Sequence, residues 1–333
     1  MASIRNSILA TVIYYDVFDF PLTFAEVYKY LVNPKRLSLN LNQERFNLNE
    51  CNECNAIDIA EELEKMAKAG IIDHKNGFYF MPGREGLYEK RIEKDKLAGK
   101  KWKIFLRMAK YLQVAPYLRA VLVSGSLAAN NSEPKSDFDV FIVIKSGRLY
   151  TGRLFLWLIS SVLGVRRGRF DVIAPDKLCF NHYITDDNLE LTHRSLYIAQ
   201  SLANMKPVII AGGILEKFVA SNRWANSYCY NFRPATIYRN VRTNKVLLAL
   251  AGTEEAVLNN FLGDLLEKIL RAFQQKRIKN NPATYESGGR IIFNDKELEF
   301  HPRSFERTVI NNYNNKLKKA GISNILENES GLS

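Results

Sequence analysis

The chain is poor in cysteine, lacks any long apolar run, and carries fewer acids than bases. Four cysteines in 333 residues are too few for a disulfide framework, and Cys51-x-x-Cys54 has no second pair at zinc spacing, so no cysteine-based metal site is expected. Cys179 reads as a buried strand residue; nothing in the pattern places Cys229. The longest apolar helix-like run, 154–165, falls short of the roughly 20 residues that a bilayer span needs, which argues against a membrane protein. The opening MASIRNSILATVIYYDVF holds an apolar stretch, but Tyr and Asp interrupt it and no small-residue cleavage site follows. No secretory signal is read there, and a cytoplasmic protein is expected. Acids number 35 against 47 Lys and Arg, a net charge of +12. That surplus points to a polyanionic ligand, nucleotide or nucleic acid, and also aids solubility; it does not choose between them.

What is present is a soluble-type composition, 47% hydrophobic and 25% charged, over a length that suggests two or three domains. The most informative stretch is 121–144, VLVSGSLAANNSEPKSDFDVFIVI. An apolar run ends in Ser124-Gly125-Ser126, a polar segment follows, and a second apolar run carries Asp137 and Asp139. In a strand, side chains at i and i+2 share a face, so these two carboxylates stand side by side while Phe138, Val140 and Ile142 turn into a core. Parallel carboxylates raise one another's pKa and are costly unless something positive lies between them. A divalent cation suits the position, and Mg²⁺ takes one or two protein carboxylates and completes its shell with water and phosphates. The Gly125-Ser126 turn permits close backbone approach to an anion. The plainer alternative is a strand with two solvent-facing acids after an ordinary turn.

The sequence Gly125-Ser126, a spacer, then Ser136-Asp137-Phe138-Asp139 and an apolar strand resembles the signature of the DNA polymerase beta-like nucleotidyltransferase superfamily, over about 118–188. The resemblance implies that Asp137 and Asp139 are catalytic and hold Mg²⁺ (or Mn²⁺), and that Gly125, Ser126 and Ser136 bind the nucleotide. It further implies that an acceptor hydroxyl, on a small molecule, protein or RNA, attacks the α-phosphorus of an NTP as pyrophosphate leaves. Superfamily members usually carry a third carboxylate on a later strand. Here three residues compete for that place: Asp171 if the strand is 170–173, Asp176, or Asn181 if the strand is 178–184. The last is favoured by length and alternation, but Asn181 cannot act as a base. A catalytically inactive nucleotide-binding regulator, or an antitoxin-like module that engages a second protein, is therefore the alternative.

The expected fold class is α+β: an N-terminal winged helix-turn-helix over 1–83, a basic linker helix at 84–117, a nucleotidyltransferase core with a mixed sheet and flanking helices at 118–188, a helical substrate-side region at 189–325, and a polar tail at 326–333. In the first region, helices are predicted at 4–17, 24–32 (opened by a Thr23/Glu26 capping box) and 57–69, then a hairpin about Asn76-Gly77. An Asn-rich insert, 34–55, is predicted as a loop that lengthens the turn. In the third helix acids outnumber bases, a poor match to a phosphate backbone. Protein contact through the winged helix is favoured over nucleic acid. Between Arg84 and Lys110 stand ten Lys or Arg against four acids, read as a solvated helix face with Trp102, Phe105 and Leu106 inside. The segment 147–165 reads as a buried helix. Arg166, Arg167 and Arg169 after it could grip phosphates or satisfy a helix end. His182 reads as a strand residue with a structural hydrogen bond, and His193 lies near a helix start. Downstream, helices are predicted at 195–205, 214–224, 245–250, 254–277 and 304–320.

Overall fold

The computed structural model describes residues 2–38, 55–168, 171–233, 241–286, 288–301 and 304–322. The apolar sequence at the start forms α1 (Ala2–Asp16), which is buried on all sides from Ser7 to Asp16, with Ile8, Leu9, Val12 and Ile13 in the core. A two-residue strand, β1 (Leu22–Thr23), leads into α2 (Phe24–Tyr30), whose N-terminus carries the expected capping box between Thr23 and Glu26. The helix stops at Tyr30, because Leu31 adopts a ψ of 120°. The insert begins with a five-residue helix, α3 (Pro34–Ser38), rather than a loop; Pro at the first helical position has the φ a helix needs and lacks only an N–H that would have no partner there. Cys51 and Cys54 lie outside the described residues. Asn55 then caps α4 (Ala56–Lys68), which buries Ile59, Leu63 and Met66. The hairpin of β2 (Asp73–Lys75) and β3 (Phe78–Phe80) turns at Asn76 and Gly77, both with positive φ, and β3 also pairs with β1.

The basic segment forms α5 (Leu87–Ala109), with Trp102 and Phe105 buried and Leu106 half-buried. It is not only a solvated face, since Arg91 and Lys101 are buried as well. Each has a fixed partner set. The Arg91 guanidinium lies 3.8 Å from the Phe20 ring centroid and 2.7 Å from Glu26 Oε1, tying α5 to the α2 cap. Lys101 is taken up with the loop before Asp137.

A six-stranded mixed sheet follows. Val- and Ile-rich sequence gives β4 (Leu118–Val123) and β5 (Phe138–Ile144), antiparallel neighbours separated by a four-residue helix, α6 (Gly125–Ala128). After α7 (Leu149–Val162), β6 (Leu178–Thr185) lies parallel to β5. Only one side of α7 is buried; Trp157, Leu158 and Val162 are exposed.

The region after 189 departs from the helical expectation. Its helices are α8 (Leu196–Asn204), α9 (Ile214–Ser221), α10 (Lys245–Leu258), α11 (Phe261–Lys279) and α12 (Glu306–Lys319). It also supplies β7 (Lys206–Ile210), β8 (Arg290–Phe293) and β9 (Glu297–His301), half of a sheet ordered β7-β4-β5-β6-β9-β8. These strands are four or five residues long, so their periodicity is weak, and pairing with β4, with β6 and with each other decides them. One predicted helix, 254–277, is in fact broken, because the Asn260 side chain caps a new helix by accepting from Leu262 N and Gly263 N.

The sheet carries a core on each face. Phe138, Val140 and Ile142 pack on one side with Trp102, Phe105, Leu156 and Ile278; Phe141 and Val143 pack on the other with Ala199, Leu202 and Phe218. A third core unites α1, α2 and α4 with Leu196 of α8 and Val309, Tyr313 and Leu317 of α12.

Candidate functional site

The turn after β4 meets the start of β5, and the i, i+2 spacing sets Asp137, one residue before β5, beside Asp139. Ligand oxygens of Asp137 and Asp139 and the sulfur of Cys179 all lie within 4.8 Å of one another. Gly125 fits against Asp139: with φ of +62°, it presents a bare Cα where an added Cβ would stand 2.2 Å from Asp139 Oδ2. No side chain has room there, and the conformation itself disfavours one. The backbone closes the same joint, Ser124 N donating to Asp139 O at 3.0 Å.

The loop that delivers Asp137 is clamped from behind. Lys101 Nζ donates to Ser136 O (2.9 Å), Pro134 O (3.2 Å) and Asp176 Oδ1 (2.7 Å). Ser136 Oγ accepts from Glu133 N at 3.0 Å within that loop, and Ser126 Oγ lies 3.5 Å from Ser132 Oγ. Neither serine hydroxyl has a direct bond to the acid pair.

Of the three candidates for a third carboxylate, the structure brings Asn181 to the pair. Asp176 is taken by Lys101, and Asp171 Oδ2 accepts from Gly168 N at 2.7 Å. Asn181 Nδ2 donates to Asp139 Oδ1 at 2.8 Å. It gets there through a bulge: β5 and β6 pair Val140 with Phe180 and Phe141 with His182, leaving Asn181 as the extra residue. Bulges re-aim side chains in this way and are frequent beside sites.

A positive group does lie at the acid pair, and it comes from the chain. Arg167 Nη1 is 2.5 Å from Asp137 Oδ2. Burial, and then the charge of Asp137, push the Asp139 carboxyl up to about 7, with Arg167 and Asn181 opposing the shift. Burial and the same two acids push the Cys179 thiol up, so it stays protonated beside them.

Two cavities flank this point. The first, about 260 Å³, is lined by Ser124, Gly125, Asp139 and Asn181 at one end and by a polar network at the other. Along β9, Glu297, Glu299 and His301 alternate, and Glu299 stands directly opposite His182 on β6. His182 Nε2 is 2.9 Å from Glu297 Oε1. Arg290 joins Glu299 and Glu306, each at 2.8 Å, and His193 Nε2 is 3.1 Å from Glu306 Oε1. Against the opposing effect of burial, hydrogen bonds from His193 and Ser195 and the nearby charges bring Glu306 down to about 2. Burial lowers His301 to about 4 despite Glu299 beside it. The expectation for His182 thus holds, but the acids it serves went unread. The signal was the period-two row of Glu297, Glu299 and His301, hidden in a five-residue strand.

The second cavity, about 680 Å³, is lined from α7, α11, β6 and β9 and from the 166–168 turn; Asn181 is shared with the first. Arg169 lies outside the described residues. Comparison with known proteins adds no relative: no family model, curated protein or solved structure matches the chain. No helix among the described residues is long and apolar enough to cross a membrane.

Proposed function

We propose that the protein is a nucleotidyltransferase that moves a nucleoside monophosphate from an NTP to a hydroxyl acceptor, with Mg²⁺ (or Mn²⁺) held by Asp137 and Asp139. The observation that carries this reading is that Asp137 and Asp139 stand together with Asp139 against Gly125, packed so closely that a methyl group would collide with it. The oxygen donors and their spacing suit a hard divalent cation. When bound, such a cation would neutralise the pair and the charge of the phosphates. The chain's own residues set the rest. Gly125, having no side chain, lets the Asp139 carboxylate pack against the turn, Lys101 fixes the loop that carries Asp137, and Asn181 orients the Asp139 carboxylate. Asp139, with a pKa of about 7, must release its proton to ligate, so cation affinity rises as pH rises toward and past 7.

The N-terminal helices and hairpin we read as a winged-helix-like unit used for protein contact. Its α4 presents Asp58, Glu61 and Glu64 to solvent, which opposes a nucleic-acid backbone. The test is transfer of label from α-labelled NTP with Mg²⁺. The Asp137→Asn, Asp139→Asn double variant, verified as folded, should lose transfer entirely; full transfer by that variant refutes the assignment.

A second reading is favoured by two specific contacts: Asn181 stands where a third acid is expected, and Arg167 already pairs with Asp137. On it the protein binds NTP with Mg²⁺ as a regulator and releases no pyrophosphate. Binding with zero turnover over hours selects this reading over the first.

A further inference from the structure

The larger cavity has a charge that the transfer reading does not use. Arg153, Arg166, Arg167 and Arg277 all line it, and no Asp or Glu does. Of the four, Arg167 is paired with Asp137. Arg153 donates to Gln274 Oε1 at 2.6 Å and lies 4.8 Å from the Phe300 ring centroid; Arg166 lies 5.5 Å from that of Trp157. Among the described residues, no carboxylate lies within 4 Å of the guanidinium of Arg153, Arg166 or Arg277. Like charges gathered around a space walled by Trp157, Phe180, Leu270 and Phe273 repel one another. An anion relieves that repulsion. Guanidinium forks match phosphate oxygens, and the apolar walls suit a flat or apolar body attached to the phosphate. The volume, about 680 Å³, lies in the range of small-molecule sites.

We propose that this cavity binds an organic phosphate with an aromatic or apolar body, held by Arg153, Arg166 and Arg277 at the phosphate and by Trp157 and Phe273 at the body. The site goes beyond the transfer reading and does not depend on it, since neither Asp137 nor Asp139 lines the cavity. Trp157 serves as the reporter. The full-length protein is titrated with AMP and with phenyl phosphate while tryptophan fluorescence is followed, and Trp157→Phe assigns the signal. Saturable change is expected, with adenosine and inorganic phosphate each binding at least roughly tenfold more weakly than AMP. Exposed Arg277, changed to Gln, should weaken AMP about tenfold, the scale of one charge-assisted hydrogen bond. Arg153→Gln should weaken it at least as much, and if that variant does not fold, Arg277→Gln decides. The Asp137→Asn, Asp139→Asn protein should bind AMP at least as tightly, because Arg167 is freed; this separates failure of the site from failure of the transfer reading. The proposal is overturned if neither phosphate saturates, if adenosine or inorganic phosphate matches AMP, or if Arg277→Gln binds unchanged.

Discussion

The two cavities that meet at Asn181 are built from the same sheet and differ in almost everything else. One lies against Asp139 and is lined by Glu297 and Glu299, with Arg290 its single Lys or Arg. The other is larger, has four arginines and no acid, and is walled by aromatic rings. A strand presents alternate side chains to opposite faces, so one β-sheet can carry two chemistries a few ångströms apart. The bulge at Asn181 is the point where that separation is relaxed, because its side chain reaches Asp139 while the residue also borders the arginine cavity. The difference teaches that charge here is segregated by sheet geometry rather than by stretches of sequence: Phe300, between Glu299 and His301, lines the arginine cavity.

The sharpest way to break the contrast is at Gly125. A Cβ there would meet Asp139 Oδ2 at 2.2 Å, at a φ of +62°, so Gly125→Ala must displace the carboxylate. Misplacement by about 1 Å can cost on the order of a hundredfold in rate. Label transfer should fall by at least that much, while AMP binding in the arginine cavity stays within about twofold of the original. Loss of both together would mean that the cavities are not independent.

A smaller effect should come from Asn181→Asp, which places a carboxylate at the bulge. If the transfer reading holds, turnover should rise roughly tenfold or more, at the low end of what a positioned general base supplies, and the gain should grow with pH. On the regulator reading, turnover stays at zero while Mg²⁺ affinity, followed by calorimetry, still rises.

The smallest expected effect concerns stability. The folded-state pKa of Asp139 is raised from 3.8 to about 7. The native state therefore holds the proton more tightly than the unfolded chain does, and stability attributable to this group is lost as pH climbs from about 4 through 7. Asp139→Asn should leave the melting temperature unchanged at pH 4 and raise it by a few degrees at pH 8, without Mg²⁺. An equal melting temperature for the two proteins at pH 8 would remove burial and repulsion as the cause of the shift.

How far the fold was legible depended on how local its causes are. The Thr23/Glu26 capping box, the Asn76-Gly77 hairpin and the alternation of β5 could all be read, since each is fixed by residues within a few positions of one another. The same holds for the pairing of Asp137 with Asp139. The roles of Arg167 and Lys101 could not be read from neighbours, because their partners lie 30 and 75 residues away. Three of the six strands of that sheet are not legible for a related reason: KPVII and RIIF are too short to show a period, the alternation in ELEFH spans only five residues, and all three become strands by pairing with β4, β6 and each other. The choice among Asp171, Asp176 and Asn181 turned on a bulge, which has no sequence signature of its own.

By itself the sequence determined the α+β character, the placing of Asp137 beside Asp139 at the start of a strand, and the turn at Gly125. These follow from backbone periodicity and from the conformational range of single residues. Only the tertiary structure decided what surrounds the acids: Arg167 on Asp137, an amide rather than a carboxylate on Asp139, a buried Glu and His row on one side and an arginine cavity on the other. Those are properties of packing, in which burial disfavours isolated charge, strengthens the interactions between charges that remain, and draws the partners from distant segments, so no window of sequence contains them.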